Sequence, residues 1–361
     1  MFAKKNLVAA AALLAVAGAA QAQSSVKLYG TVDASVGSYE AAHTKGDKAR
    51  TTKVESGDMI TSFIGLSGSE DLGGGLKAEF TLETFLKADT GKADSVYNKA
   101  SGFWGRGSNI ALSGGFGKVA IGQYDNPLFT SGYTYNPFGS SMSFSPTMRH
   151  FYYNQAGIGQ SNGTTGIDTG FVNSLTYETP NFSGFTAAAQ YSPKESTTAG
   201  FGNSYTVSGS YNAGPLSATL TYVKSGIATA YDSDEKIIGF GASYDFGVVK
   251  AFGQYTQIKQ TASSAVNNNP NVTQPQLANK DKIYQLGVSV PVTDKASVLA
   301  SFGKLSNKVT STGTKETDTV FSIGYDYFLS KRTDVYGVFS NNQHTDKVSG
   351  QTFAVGVRHS F

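Results

Sequence analysis

The amino-acid sequence predicts an all-β chain whose strands close into a sixteen-stranded antiparallel barrel spanning a membrane. Three features predict it. The chain opens on an export-type leader, its side chains alternate in period two, and its connections alternate between tight turns and long polar loops.

The leader comes first. Lys4 and Lys5 precede an apolar run from Leu7 to Ala20, and Ala20-Gln21-Ala22 offers a small-residue cleavage site. Residues 1–22 therefore read as a signal peptide and residues 23–361 as one barrel domain. The apolar run is too short for a bilayer-spanning helix, and the 339 residues that remain after cleavage hold no apolar stretch long enough for one.

Composition narrows the class. With 42 Gly, 20 Tyr, 23 Phe and only 9 Pro, the chain has the makeup of strands and turns rather than helices. An exported chain this rich in aromatics can still enter lipid as a closed barrel, the other architecture that satisfies every backbone group there. The net charge of +3 falls to about +1 without the leader, and no block of one sign gives nucleic acid a footprint. The chain has no cysteine, which removes disulfides, thiolate metal sites and cysteine catalysis together.

Alternation appears at once in the mature sequence. Val26, Leu28, Gly30, Val32, Ala34 and Val36 share one face, and Lys27, Tyr29, Thr31, Asp33 and Ser35 share the other. Leu76, Ala78, Phe80 and Leu82 alternate with Lys77, Glu79, Thr81 and Glu83, and Phe353, Val355 and Val357 with Ala354, Gly356 and Arg358. A soluble β-sandwich would show the same pattern. The connections separate the two architectures. Short turns are predicted at 71–75, 114–117, 180–183, 212–214, 245–247, 293–295 and 330–332. Long polar loops are predicted at 40–58, 87–102, 125–170, 194–203, 225–235, 259–280, 307–317 and 341–350. Fifteen connections imply sixteen strands, at about 21 residues per strand with its share of the connections.

The strands then show a resemblance. Ser24-Ser25-Val26-Lys27-Leu28-Tyr29-Gly30, the run from Ile64 to Ala78, the run from Asn173 to Phe185 and the ending Val355-Gly356-Val357-Arg358-His359-Ser360-Phe361 resemble the general porins of Gram-negative bacteria, of the betaproteobacterial and neisserial type. The resemblance runs the length of the mature chain. It implies a homotrimer in the outer membrane and a third loop folded into each barrel to narrow the channel. It also implies passive diffusion of small hydrophilic solutes and ions, with outer-membrane lipid, lipopolysaccharide and the outer-membrane assembly machinery as partners. In such a chain the terminal Phe361 resembles the assembly signal, and it also suits the aromatic belt at the membrane interface.

Enzyme chemistry is not expected. No HExxH, GxSxG, complete GxGxxG or phosphate-cradling GxxxxGK[ST] is present, the four histidines are scattered, and no cofactor or metal is implied. The lumen is where function should lie. Candidate pore-lining residues are Arg106, Phe63, Asp33, Lys77, Glu79, Tyr133, Tyr135, Asn136 and Arg149. Asn136-Pro137-Phe138-Gly139 resembles the family's loop-tip motif, without the acid often found near Asn136. Arg106 stands where the family places a wall arginine, whereas Phe63 and Gly170 occupy two positions where others are usual. Strand parity shared with Ile110 and Leu112 argues that Arg106 faces outward; the motif argues that it faces in. Gln123 stands near an element where related porins carry an arginine that receives the neighbouring subunit's second loop, here 87–102. A channel selective for neutral solutes such as sugars, with Phe63, Tyr133 and Tyr135 as stacking surfaces, is the alternative function, and a structural or adhesive barrel a third.

Overall fold

A computed structural model describes residues 25–47, 49–93, 102–152, 169–195, 202–226, 233–262, 279–309 and 313–361. The leader, 1–22, lies outside them. The strands are β1 (Ser25–Glu40), β2 (Arg50–Ser56), β3 (Phe63–Gly73), β4 (Leu76–Phe85), β5 (Gly107–Gly114), β6 (Gly117–Gln123), β7 (Ser174–Glu178), β8 (Phe185–Ser192) and β9 (Ser204–Ala213). They continue with β10 (Leu216–Ser225), β11 (Ser233–Asp245), β12 (Lys250–Ala262), β13 (Asn279–Thr293), β14 (Ala296–Val309), β15 (Lys315–Phe328), β16 (Thr333–His344) and β17 (Gly350–Ser360).

Apart from β2 and β3, which do not pair with each other, consecutive strands pair antiparallel, and β17 pairs with β1 to close the sheet. β2 and β3 are two parts of one stave, because both pair with β1, β2 along its second half and β3 along its first. The closed barrel thus has sixteen staves. Closure matters in lipid, where an open edge would leave backbone groups without partners. At the seam the Phe361 amide donates to the Gly30 carbonyl at 3.1 Å, and the Gly30 amide to the Phe361 carbonyl at 3.2 Å.

The split stave corrects one expectation. The predicted loop 40–58 contains a strand, β2, whose Val54 pairs with Val36 of β1. Within this stave the chain leaves the sheet at Gly57, whose φ of +82° suits glycine, and rejoins it at Phe63. Similarly, β12 runs to Ala262 and β13 starts at Asn279, so strands extend into the predicted loop 259–280.

The polarity is the reverse of a soluble sandwich. Leu286, Val26, Leu28 and Ile121 are each more than 60% exposed on the outer face, while Thr206, Thr221, Ser322 and Gln285 are buried inside. Buried inner side chains pack against the long connection after β6, which carries two short helices, Pro127–Thr134 and Pro146–Tyr152, into the barrel. Among the described residues no helix is long and apolar enough to cross a membrane.

Candidate functional site

The inward loop begins at a defined anchor. The Asn126 side chain accepts from the Leu128 amide and caps the helix Pro127–Thr134, with Pro127 suited to the first turn. The same side chain donates to Gln190 Oε1 at 2.8 Å and to Thr206 Oγ1 at 2.7 Å, fixing the loop base on β8 and β9.

From there the loop crosses the inner wall along a line of glycines. A Cβ on Gly239 would lie 2.8 Å from Leu128, on Gly241 2.3 Å from Tyr135, on Gly287 2.5 Å from Pro137 and on Gly303 2.2 Å from Pro146. Glycine is required at these positions by close approach, not by unusual backbone angles. Polar contacts hold the same course. Tyr135 Oη lies 2.9 Å from both Ser217 Oγ and Thr219 Oγ1, Gln254 donates to the Gly132 carbonyl, and Gln285 accepts from the Thr147 amide at 2.6 Å.

Across the lumen, the inward segment 57–62 meets the loop. Ser141 Oγ donates to the Asp58 carbonyl at 2.5 Å and Ser143 Oγ to its carboxylate at 2.8 Å, while Ser35 and Tyr39 donate to the other carboxylate oxygen. The segment itself hangs on Asp33. One Asp33 oxygen accepts from the Met59 and Ile60 amides at 2.7 and 2.8 Å, and the other accepts from Tyr336 Oη at 2.7 Å.

Several expected lining residues are placed differently. Asp33 points inward but has no accessible surface, because segment 57–62 covers it; it does not line open water. Tyr135 and Asn136 are buried within the loop's own packing, and Asn136 caps the turn by donating to the Gly132 and Gly139 carbonyls and accepting from the Phe138 amide. Glu79 pairs with Lys118 at 2.7 Å, and Lys77 sits exposed opposite Asp71 beside a turn. Arg149, half-buried on the helix Pro146–Tyr152, lines a loop-side cavity of about 300 Å³ with Tyr39, Lys53, Glu55, Asp58 and Ser143. A second cavity, about 320 Å³, opens on the turn side of the loop beside Ser131, Thr134, Tyr135, Glu178 and Asn212.

The tightest cluster of charge surrounds Arg106. Its guanidinium is paired with the Glu83 carboxylate and lies 4.0 Å from the Phe63 ring centroid, with Phe85 5.9 Å away. Tyr29 Oη donates to the second Glu83 oxygen at 2.6 Å. Arg106 belongs to the turn before β5, so the alternation of Ile110 and Leu112 has no hold on its direction. The turn is clamped from behind. Thr169 Oγ1 donates to the Arg106 carbonyl at 2.6 Å, and buried Gln123 donates to the Gly105 carbonyl at 2.8 Å and to Thr169 at 3.1 Å. Gln123 thus works within its own chain. Residues 94–101 of the second loop, 87–102, lie outside the described residues.

Phe63 and Gly170 now have structural roles. Phe63 supplies a face for the Arg106 cation. At Gly170 a Cβ would lie 1.8 Å from the Tyr124 carbonyl oxygen, so no side chain fits. Sequence reading missed Asp125, at the loop's entrance. Burial, then the negative fields of Glu83 and Glu178, push its carboxyl up to about 6, while Arg106 pulls it down. Burial and the Asp125 charge raise half-buried Tyr133 to about 12. His150 is neutral: burial first and Arg149 second lower it to about 3. Among the described residues no group of His, Asp and Glu side chains is placed to hold a metal ion.

Comparisons with known proteins agree along the whole chain. The family model described as Gram-negative porin matches residues 9–347. The chain is 34% identical to outer membrane porin protein 32 of Delftia acidovorans, over 99% of this chain and all of that one. It is 28% identical to the major outer membrane protein P.IB of Neisseria gonorrhoeae over the same shares. The solved structure of an anion-selective porin from Comamonas acidovorans superposes with a TM-score of 0.73 at 30% identity, covering 94% of this chain and all of that one.

Proposed function

The chain belongs to the Gram-negative porin family, and on that premise we propose how its outer-membrane channel filters what diffuses through it. The channel is passive, and its relatives are porins rather than enzymes. The filter is the gap between the wall turn bearing Arg106 and the loop helix bearing Tyr133. The Arg106–Glu83 pair carries this reading, since it places both signs of charge together beside the loop entrance. Asp125 adds a loop-side acid there. A wall cation balanced by a wall anion exerts a short-range, weak transverse field, so selectivity between small ions is modest. The related porin from Comamonas acidovorans is anion-selective. Here Glu83 and Asp125 temper any preference that Arg106 sets. Planar-bilayer recording in a salt gradient tests this: a small reversal potential is expected, and near-ideal selectivity of either sign would overturn it.

The sugar-channel alternative finds less support, because the Phe63 face is occupied by Arg106 and Tyr135 is buried. The assembly is proposed to be a homotrimer, exported by cleavage of residues 1–22 and inserted by an assembly machinery that reads the strand ending in Phe361. Cross-linking in mild detergent should show three species; monomer alone would overturn it. Outer-membrane lipopolysaccharide is the proposed lipid partner.

A further inference from the structure

The loop-side ends of β10 to β15 carry a row of lysines. Strand register sets Lys224 opposite Lys236, Lys236 opposite Lys259, Lys259 opposite Lys280, Lys280 opposite Lys308 and Lys308 opposite Lys315. Directly paired residues of antiparallel strands project on the same face with Cβ atoms about 5 Å apart, so six strands present lysines side by side in one row about 24 Å long, which the strand tilt inclines to the membrane plane. The face is the outer one. Ile237, Ile258, Ile283 and Leu305, one parity away, are buried inside, whereas Ile238, Tyr284, Leu286 and Phe302, in phase with the lysines, are exposed.

Lysines set side by side repel each other and weaken strand pairing. Among the described residues, no carboxylate makes an ion pair with Lys236, Lys259, Lys280, Lys308 or Lys315. No described side chain supplies these five lysines with a countercharge, which leaves that role open to a ligand. The residues below the row fix its depth. On β13 the outward sequence is Lys280, Lys282, Tyr284, Leu286 and Val288; on β14 it is Lys308, Ser306, Lys304 and Phe302. Charge gives way to aromatics and then to aliphatics, the order of headgroup, interface and hydrocarbon. At roughly 3.4 Å per residue, Lys280 stands about 13 Å along β13 above Tyr284. The long loops mark this end as the extracellular one.

We propose that this row is the binding site for the phosphorylated glycolipid of the outer leaflet. Its phosphate groups bridge adjacent lysines while its acyl chains pack on the aliphatic wall beneath. Each ammonium offers three donors on a flexible stem, which suits phosphates spread along a row better than a single fixed pocket. Diffusing solutes inside the lumen do not meet this surface. The assignment rests on the reading of lipopolysaccharide as a partner and gives that reading an address.

The test uses the purified, delipidated full chain in mild detergent, titrated with bisphosphorylated lipid A and followed by native mass spectrometry. The quadruple variant Lys236→Gln, Lys259→Gln, Lys280→Gln, Lys308→Gln should bind at least tenfold more weakly than the native protein, with single-channel conductance unchanged to show an intact barrel. The matching Lys→Arg quadruple should retain binding, and dephosphorylated lipid A should bind the native chain as weakly as lipid A binds the Gln variant. Equal binding by native and Gln proteins overturns the site and leaves the partner standing. Absence of binding by the native protein overturns both. Sodium tripolyphosphate, which has the charge and no acyl chains, should bind far more weakly than lipid A; equal affinity would assign the row to soluble polyanions instead.

Discussion

The guanidinium carbon of Arg106 lies 4.0 Å from the ring centroid of Phe63, and the same guanidinium is paired with Glu83. Arg106 is therefore held from two sides, by a π face and by a carboxylate. Removing it does more than delete a positive charge.

Arg106→Ala leaves Glu83 facing the lumen with only Tyr29 as partner. At about 4 Å a unit charge is worth roughly 1 kcal/mol in the water limit, or about a fivefold change in permeability ratio. The reversal potential in a salt gradient should shift toward cations by that order. Glu83→Gln should shift it toward anions, and Phe63→Arg should do likewise while disordering Arg106. An unchanged potential in Arg106→Ala would remove that side chain from the ion path.

Asp125 supplies a pH test. Its carboxyl, raised to about 6 from 3.8 chiefly by burial, gains a proton as pH falls from 7 to 5. The filter then loses negative charge, so anion preference should rise over that window. Asp125→Asn should abolish the rise. The linkage has a matching sign: because the folded carboxyl holds its proton more tightly than the unfolded one, this group's contribution is most favourable below pH 3.8 and is lost as pH rises through 6.

Asp33→Ala should loosen segment 57–62 by orphaning the Met59 and Ile60 amides and the Tyr336 hydroxyl, each buried donor costing about 1–3 kcal/mol. Barrels unfold irreversibly, so the readout is the temperature at which the folded gel band converts, expected to drop, together with noisier single-channel steps. An unaltered conversion temperature would show that the segment is held elsewhere.

Deleting Phe361 removes the closing pair with Gly30 and the terminal aromatic ring. Insertion into the outer membrane should fall, while inserted molecules conduct normally. Normal yield would count against its role in assembly.

The sequence made the barrel legible because period-two alternation and the uneven connections are local signals. Arg106 was harder. Parity and motif disagreed, and the disagreement dissolves once residues 103–106 form a turn, since alternation holds only within a strand. Asp33 could not be told from a water-facing acid, because its concealment depends on segment 57–62, which returns from another stave to cover it. Asp125 escaped notice for a similar reason: its neighbours Glu83, Arg106 and Glu178 are assembled only by closure. The Gly57-Asp58 pair was the available hint that the predicted loop 40–58 held a break in a stave.

Glu-to-Arg exchanges in a pore are felt by the ions that pass, but the glycines behind the loop are felt by none. Gly241→Ala or Gly303→Ala would push Tyr135 or Pro146 off the wall at an overpacking cost of about 1–3 kcal/mol. The displaced loop could move only across the lumen, toward the Arg106 side. The bore is therefore set from the rear, by the thickness of a wall that solutes never touch. Permeability can thus be retuned by silent-looking substitutions on β11 and β14, with every charge in the passage left in place.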